Sequence, residues 1–249
     1  MSVIWKKEEY GTYYEVRSAG KSRRLYTDGV FHSQYNPARD VTGGIWDLLM
    51  VPAFFNTPEN IKNVLVLGVG GGAVIHQLHR HVEPENITGV ELSAMHLYLA
   101  KRFFGITDSM VELHEAEAVT WLNNYKGEKF DLIIEDLFGE RDGEPYRAVS
   151  PDQIWFDLLN KNLNQNGILV MNFTSHKSFK SSAVFNEPET EKMFQSVFQL
   201  RMPIYDNIIG VFLKQPSSSS ELRENLKAHP RIGKNIRNKN LFYHIKQLR

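Results

Sequence analysis

The chain has 249 residues, 42% of them apolar and 23% charged, which fits a single large soluble α/β domain or one such domain with small appendages. No run approaches the roughly 20 apolar residues of a membrane span, and the absence of cysteine excludes disulfides, thiolate metal sites and thiol nucleophiles. Formal net charge is zero, yet residues 221–249 hold eight Lys/Arg against two Glu, leaving the rest of the chain acidic.

Residues 1–9 carry charge too early for a signal peptide, so the expected compartment is the cytoplasm. Residues 10–17 and 22–28 are aromatic-rich and β-prone, with turn signals at 18–21 and at Asp28-Gly29. A small N-terminal β element is therefore expected. Residues 43–55 read as an apolar helix ending before Pro58.

From residue 62 the pattern changes. Apolar runs suited to buried parallel strands occur at 63–67, 86–91, 110–114 and 130–135. Helical stretches at 72–81, 94–104 and 117–124 separate them, the signature of βαβ units. Further on, the pattern predicts a helix at 151–163, a turn at 164–167 and a strand at 168–173. It then predicts a helix at 188–198 and an antiparallel pair at 199–203 and 208–214, joined at Asp206-Asn207. Ser217–Ser220 offers an N-cap to a terminal helix. The basic tail is expected as a solvated helix or an arm on the acidic body, not as a nucleic-acid site.

The chemistry concentrates where the strand at 63–67 runs into Gly68-Val69-Gly70-Gly71-Gly72-Ala73. Glycines there allow a tight turn and close approach of backbone to a ligand, and the following helix presents free N–H groups. Glu91 closes the next strand, where an acid accepts hydrogen bonds from ribose hydroxyls. This much suits dinucleotide enzymes and methyl donors alike. Glu117 and Asp136 follow the next two strands, so three acids would share one rim at the carboxyl ends. A nucleoside with a sulfonium centre suits three acids; a pyrophosphate does not. His76, His79 and His81 do not share a helix face, and no metal site is expected. The polar stretch 141–146 lies beside the expected site and reads as a substrate lid.

These features resemble the spermidine synthase (polyamine aminopropyltransferase) family and its methyltransferase-like relatives, over about residues 10–214. Leu25–Val30 resembles the family's segment ending in Leu-Asp-Gly, Phe130–Asp136 its Tyr-Asp-x-Ile-Ile-x-Asp motif, Ser150 and Ile154-Trp155 its Ser-x-x-Phe-Tyr stretch, and Asn166–Leu169 its Gly-Gly-Ile strand entry. The resemblance implies an α/β, Rossmann-like S-adenosylmethionine-dependent methyltransferase fold: a mostly parallel seven-stranded sheet, last strand antiparallel, behind a small N-terminal β element. The domains would be residues 1–41 (β element), 42–215 (nucleoside-binding catalytic domain) and 216–249 (basic helical tail). It assigns Gly68, Gly70, Gly71, Gly72, Glu91 and the adjoining Leu92 to the nucleoside, and Glu117-Ala118 to adenine. Asp136 takes the place of the acid near the reacting amine. His32 or Gln34 falls near the nucleoside-contacting Gln, and Gln34 is the residue assigned. A homodimer and a small-molecule acceptor, an amine, are implied.

The sequence departs from the family in three places. The family has Asp where Gly71 stands, an acid that would repel the carboxylate of S-adenosylmethionine and favour the decarboxylated donor. Its Asp-x-x-Asp ends here at Gly139, followed by Glu140. Its Tyr-His-Glu helix entry has no clear match in Gly44–Asp47. The sequence therefore favours methyl transfer from S-adenosylmethionine to a small acceptor. Aminopropyl transfer from decarboxylated S-adenosylmethionine to putrescine is the alternative, and a non-catalytic nucleoside-binding protein the second.

Overall fold

The computed structural model describes residues 1–141 and 144–249. The chain opens with four antiparallel strands, β1 (Ser2–Glu9), β2 (Thr12–Ala19), β3 (Ser22–Thr27) and β4 (Val30–Tyr35), paired in sequence order. Asp28 and Gly29, at φ 46° and 82°, form the tight turn that the sequence signalled. The sequence showed two of these strands. β1 and β4 escape the pattern because their burial is partial and irregular rather than alternating.

A buried helix, α1 (Ile45–Met50), continues into a 3-10 turn (Val51–Phe55) and leads to the main sheet. There β5 (Asn63–Leu67), α2 (Ala73–His81), β6 (Asn86–Glu91), α3 (Ala94–Phe103), β7 (Glu112–Glu115), α4 (Ala118–Asn124) and β8 (Phe130–Glu135) alternate. A short hairpin, β9 (Phe138–Arg141) with β10 (Glu144–Arg147), leaves the end of β8. It occupies the stretch expected as a lid, of which Asp142 and Gly143 lie outside the described residues. Next come α5 (Gln153–Asn162), β11 (Leu163–Phe173) and three short helices, α6 (His176–Lys180), α7 (Ala183–Asn186) and α8 (Pro188–Glu191). The strands β12 (Ser196–Arg201) and β13 (Ile208–Leu213) precede α9 (Ser219–Ala228), α10 (Pro230–Arg237) and β14 (His244–Gln247).

The main sheet runs β14-β12-β13-β11-β8-β5-β6-β7, parallel from β11 to β7 and antiparallel at β13, β12 and β14. This is the expected fold with an eighth strand added. The helix expected at 188–198 stops at Glu191, because Ser196–Leu200 is fully buried as strand β12. The tail, expected as helical, instead ends by pairing β14 with β12. Its helix α9 begins with a full capping box between Ser218 and Glu221. Arg223, Lys227, Arg231, Lys234, Arg237 and Lys239 are exposed, so the basic segment turns its charge to solvent.

Side chains alternate across the central strands, as the two-residue strand period requires. Val64, Val66, Leu132, Ile134, Ile168 and Val170 pack into one core cluster with α1 and α2. Leu65, Leu67, Ile133, Leu169 and Met171 pack into a second, with α5. With both faces covered, the strand ends are rigid mounts for whatever the loops present.

Candidate active site

The carboxyl ends of β5, β6, β7 and β8 open into one cavity of about 590 Å3, a usual size for a small-molecule site. From the opposite side β4 and the loop before α1 close it with Phe31, His32, Ile45 and Trp46. Gly68, Val69 and Gly70 form its floor. Gly68 has φ +87°, and a Cβ there would sit 2.3 Å from the Asp136 carbonyl oxygen. Only glycine lets β5 turn this closely past the end of β8. Asp136 N–H donates to the Leu67 carbonyl at 2.8 Å and Gly68 N–H to the Val90 carbonyl at 2.9 Å, locking the three strand ends together.

Glu91 is buried beneath this turn. Its Oε2 accepts from the Val69 and Gly70 N–H groups at 3.0 and 2.9 Å, and its Oε1 from Ser93 N–H at 3.0 Å. His96 Nδ1 lies 3.6 Å from Oε1, and its Nε2 is 2.8 Å from the Thr27 hydroxyl on β3. Burial works against the charge, but His96 and the backbone donors prevail and hold the carboxyl down at about 2. The structure thus gives Glu91 a task the sequence did not show: it braces the glycine turn while facing the cavity. Leu92 stands at the rim, largely exposed, and Ala118 is buried in the wall. Glu117 also lines the cavity, while both its oxygens cap α4 by accepting from Val119 N–H and Thr120 N–H at 2.9 and 2.8 Å.

Three residues expected at the nucleoside do not line this cavity. Gly71 and Gly72 lie behind the turn and do not line the cavity. A Cβ on Gly71 would lie 2.8 Å from Ser33 Cβ and 3.1 Å from the Phe104 ring, so this position faces β4 and α3. Gly72, at φ +78°, starts α2 against Ile106. Gln34 is turned away as well: its Oε1 accepts from Arg24 Nε at 2.7 Å, and its amide donates to the Thr42 carbonyl at 3.0 Å. His32 is the β4 residue in the cavity wall, and its Nε2 is buried without a partner. Burial, helped by His96, lowers the imidazole to about 4, so His32 is neutral at pH 7.

A testable consequence concerns Gly71. Restoring the family's acid with Gly71→Asp would force Ser33 and Phe104 apart, and overpacking of this kind costs about 1–3 kcal/mol. A melting temperature lower by several degrees is the expected result. An unchanged or raised value would show that the β4 wall yields.

Asp136 sits half-buried in the wall at the end of β8. Burial pushes its carboxyl up to about 6, against the Asn172 hydrogen bond and the Arg147 charge, with Glu91 adding to the rise. Asn172 Nδ2 donates to Asp136 Oδ1 at 2.8 Å, and Asn207 Nδ2 donates to Asn172 Oδ1 at 3.0 Å. Behind them, Arg147 Nη2 holds both oxygens of the buried Glu135 at 2.9 and 2.8 Å, and its Nη1 donates to the Asn172 carbonyl. This pair pins the β9–β10 hairpin to the sheet.

The sequence reading missed this supporting set, Asn172, Asn207, Arg147 and His96. It also missed Asp47, which is fully buried and accepts from Thr42 N–H, Gly43 N–H and the Thr42 hydroxyl at 2.8, 2.8 and 2.7 Å. Asp47 thereby fixes the loop that puts Ile45 and Trp46 in the wall. Its signal was a lone acid within the apolar run 45–55. Of the clustered histidines, His76 stacks on Tyr35 and donates to the Phe104 carbonyl, while His81 donates to the Asp40 carbonyl.

A glycine turn braced by a strand-end acid, on a parallel sheet with an antiparallel β13, is the methyltransferase-type α/β fold. The spermine/spermidine synthase domain matches residues 47–223, and the chain belongs to that family. It is 26% identical over 229 residues to a probable polyamine aminopropyl transferase of Bifidobacterium longum, covering 88% of this chain and 49% of that protein. The chain spans about half the length of the first curated relatives it matches. In fold it is similar to the spermidine synthase of Thermotoga maritima, with TM-score 0.68 at 14% identity, covering 92% of this chain and 78% of that one. Human methyltransferase-like protein 13 in complex with SAH gives TM-score 0.62 at 18% identity, covering 75% and 90%. No helix among the described residues is long and apolar enough to cross a membrane.

Proposed function

We propose that this protein binds an adenosyl-sulfonium nucleoside over the Gly68–Gly70 turn and transfers an alkyl group from its sulfonium to an amine held at Asp136. Family membership supports the aminopropyl group of decarboxylated S-adenosylmethionine as the group transferred, in preference to methyl. The observation that carries this reading is the charge of the wall. Among the described residues, three carboxylates, Glu91, Glu117 and Asp136, line the cavity with no Lys or Arg among them, and His96, which also lines it, is engaged by Glu91 and Thr27. A donor with an amine and a sulfonium suits such a wall. A donor bearing its own carboxylate would meet like charge with no described Lys or Arg to offset it.

In the reaction the acceptor nitrogen gives its lone pair to the carbon beside the sulfonium. The C–S bond breaks, its electrons stay on sulfur, and a neutral thioether nucleoside leaves. The nitrogen's proton passes to Asp136. The protein's part is to place nitrogen, carbon and sulfur in line and to keep a carboxylate beside the nitrogen. The bond from Asn172 fixes which oxygen faces the cavity.

Methyl transfer from S-adenosylmethionine itself, the reaction the sequence favours on Gly71, is the second reading. Calorimetry with four nucleosides separates the two. Decarboxylated S-adenosylmethionine and methylthioadenosine should bind more tightly than S-adenosylmethionine and S-adenosylhomocysteine. The reverse order selects methyl transfer. No binding of any of them at millimolar concentration removes both readings.

A further inference from the structure

His96 projects from α3 into the small N-terminal sheet. Its buried ring meets the Thr27 hydroxyl of β3 at 2.8 Å, with ring centres 5.9 Å from Tyr14 of β2 and 5.1 Å from His32 of β4. Val16, Leu25, Leu99 and Phe104 pack into a core cluster between the same elements, so the ring is held in place by its surroundings. Thr27 stands at the leucine of the family's Leu-Asp-Gly, so the hydroxyl contact belongs to this chain's own sequence.

Chemistry assigns the two ring nitrogens. Nδ1 faces Glu91 Oε1 at 3.6 Å. An ionised carboxylate only accepts, so Nδ1 carries a hydrogen whether the ring is neutral or charged. Nε2 accepts from the Thr27 hydroxyl in the neutral ring and donates to it in the charged one, and a hydroxyl serves in either role. The contact with Glu91 therefore survives a change in the charge of His96. At 3.6 Å it is longer than a hydrogen bond and acts through the N–H dipole or charge. Val69, Gly70 and Ser93 N–H occupy three of the roughly four lone-pair positions of the carboxylate, which leaves one for a ligand hydroxyl.

The other ionisable groups around Glu91 give it no support. His32 is neutral at pH 7, and Asp136 at the end of β8 has the same sign as Glu91. Among the described residues, no Lys or Arg lines the cavity.

Resting on the nucleoside-binding part of the reading above, we propose that His96 is a positioning residue of the donor site: fixed by Thr27, it holds the Glu91 carboxylate under the glycine turn with one oxygen presented to a ligand hydroxyl. β3, which does not line the cavity, thereby acts on donor affinity through Thr27. Without the imidazole, the cost of burying this charge would be met by backbone N–H groups alone, and the carboxyl would rise.

The experiment uses the full chain with His96→Leu, His96→Gln and Thr27→Val. Without ligand, the Glu91 carboxyl is followed by 13C NMR from about pH 8 down to about pH 4. In the parent it should stay ionised throughout, being held at about 2. In His96→Leu it should begin to titrate within that range. Calorimetry with methylthioadenosine should give a Kd about tenfold weaker for His96→Leu, the scale for one contact to a charged group. His96→Gln, whose amide N–H can face Oε1, should stay within about threefold of the parent, and Thr27→Val should weaken binding by about threefold. Three results overturn the proposal: a Glu91 signal that stays ionised in His96→Leu, a Kd unchanged in that variant, or His96→Gln as weak as His96→Leu, which would mean that the ring acts by shape. If His96→Leu does not fold, Thr27→Val carries the test, and an unchanged Kd there overturns the proposal. Failure of the parent to bind any nucleoside is a different result, for it removes the transfer reading itself, while the NMR titration still decides whether His96 holds Glu91.

Discussion

Gly68→Ala is expected to be among the most destabilising single substitutions in the sheet and to abolish nucleoside binding. Two penalties add at this residue. Its φ of +87° lies where an L side chain is strained, at about 1–2 kcal/mol. The new Cβ would also sit 2.3 Å from the Asp136 carbonyl oxygen, a backbone atom. That oxygen cannot retreat freely, because Asp136 N–H is bonded to the Leu67 carbonyl and β8 pairs with both β5 and β11. A loss of more than about 3 kcal/mol is the scale for a core site that is both strained and overpacked. Urea denaturation measures it. Gly29→Ala is the control: φ is +82° there, but nothing lies within 4 Å of the added Cβ, so strain acts alone at about 1 kcal/mol. Equal losses for the two variants would show that the approach of β5 to Asp136 contributes nothing.

The same contrast explains what could be read in the sequence. Gly68, Glu91 and Asp136 were legible because each follows a continuous apolar run, and such runs place their ends at one edge of a buried parallel sheet. Spacing gives the position of Gly71 but not its direction: its missing Cβ points at Ser33 and Phe104. Gln34 and His32 could not be separated, since β3 and β4 shift register between Leu25 and Tyr26 and only the paired strands reveal it. Arg147 was hidden directly after a stretch that looked like loop. Its meaning comes from Glu135, a partner on another strand, at a separation no motif encodes. The strand β14 was missed because only Ile245 of its four residues is even partly buried.

Asp136→Asn should lower kcat by about 10²–10⁴-fold, the scale for losing a group that takes a proton in the transition state. Asparagine keeps the shape, and an oxygen placed as Oδ1 would still accept from Asn172. Charge and basicity are what the variant removes. The acid limb of the pH profile makes the assignment specific. With the carboxyl at about 6, the ionised, active form is lost as pH falls, so kcat/KM should drop tenfold per unit below about pH 6 and be flat above it. An unperturbed aspartate would place that limb about two units lower. The hydrogen bond from Asn172 lowers this carboxyl, so Asn172→Ala should move the limb upward. Stability supplies the opposing sign. A carboxyl whose folded pKa is raised above its unfolded value weakens the fold above the folded pKa and has no such effect below the unfolded one. Asp136→Asn should therefore be more stable than the parent at pH 7–8 in urea denaturation, and the difference should vanish near pH 4. A structural role predicts loss of stability and activity together. A non-catalytic nucleoside-binding protein predicts the gain in stability with unaltered donor affinity and no turnover to lose. Only a carboxylate kept ionised in an unfavourable place for chemistry gives greater stability together with a lost reaction.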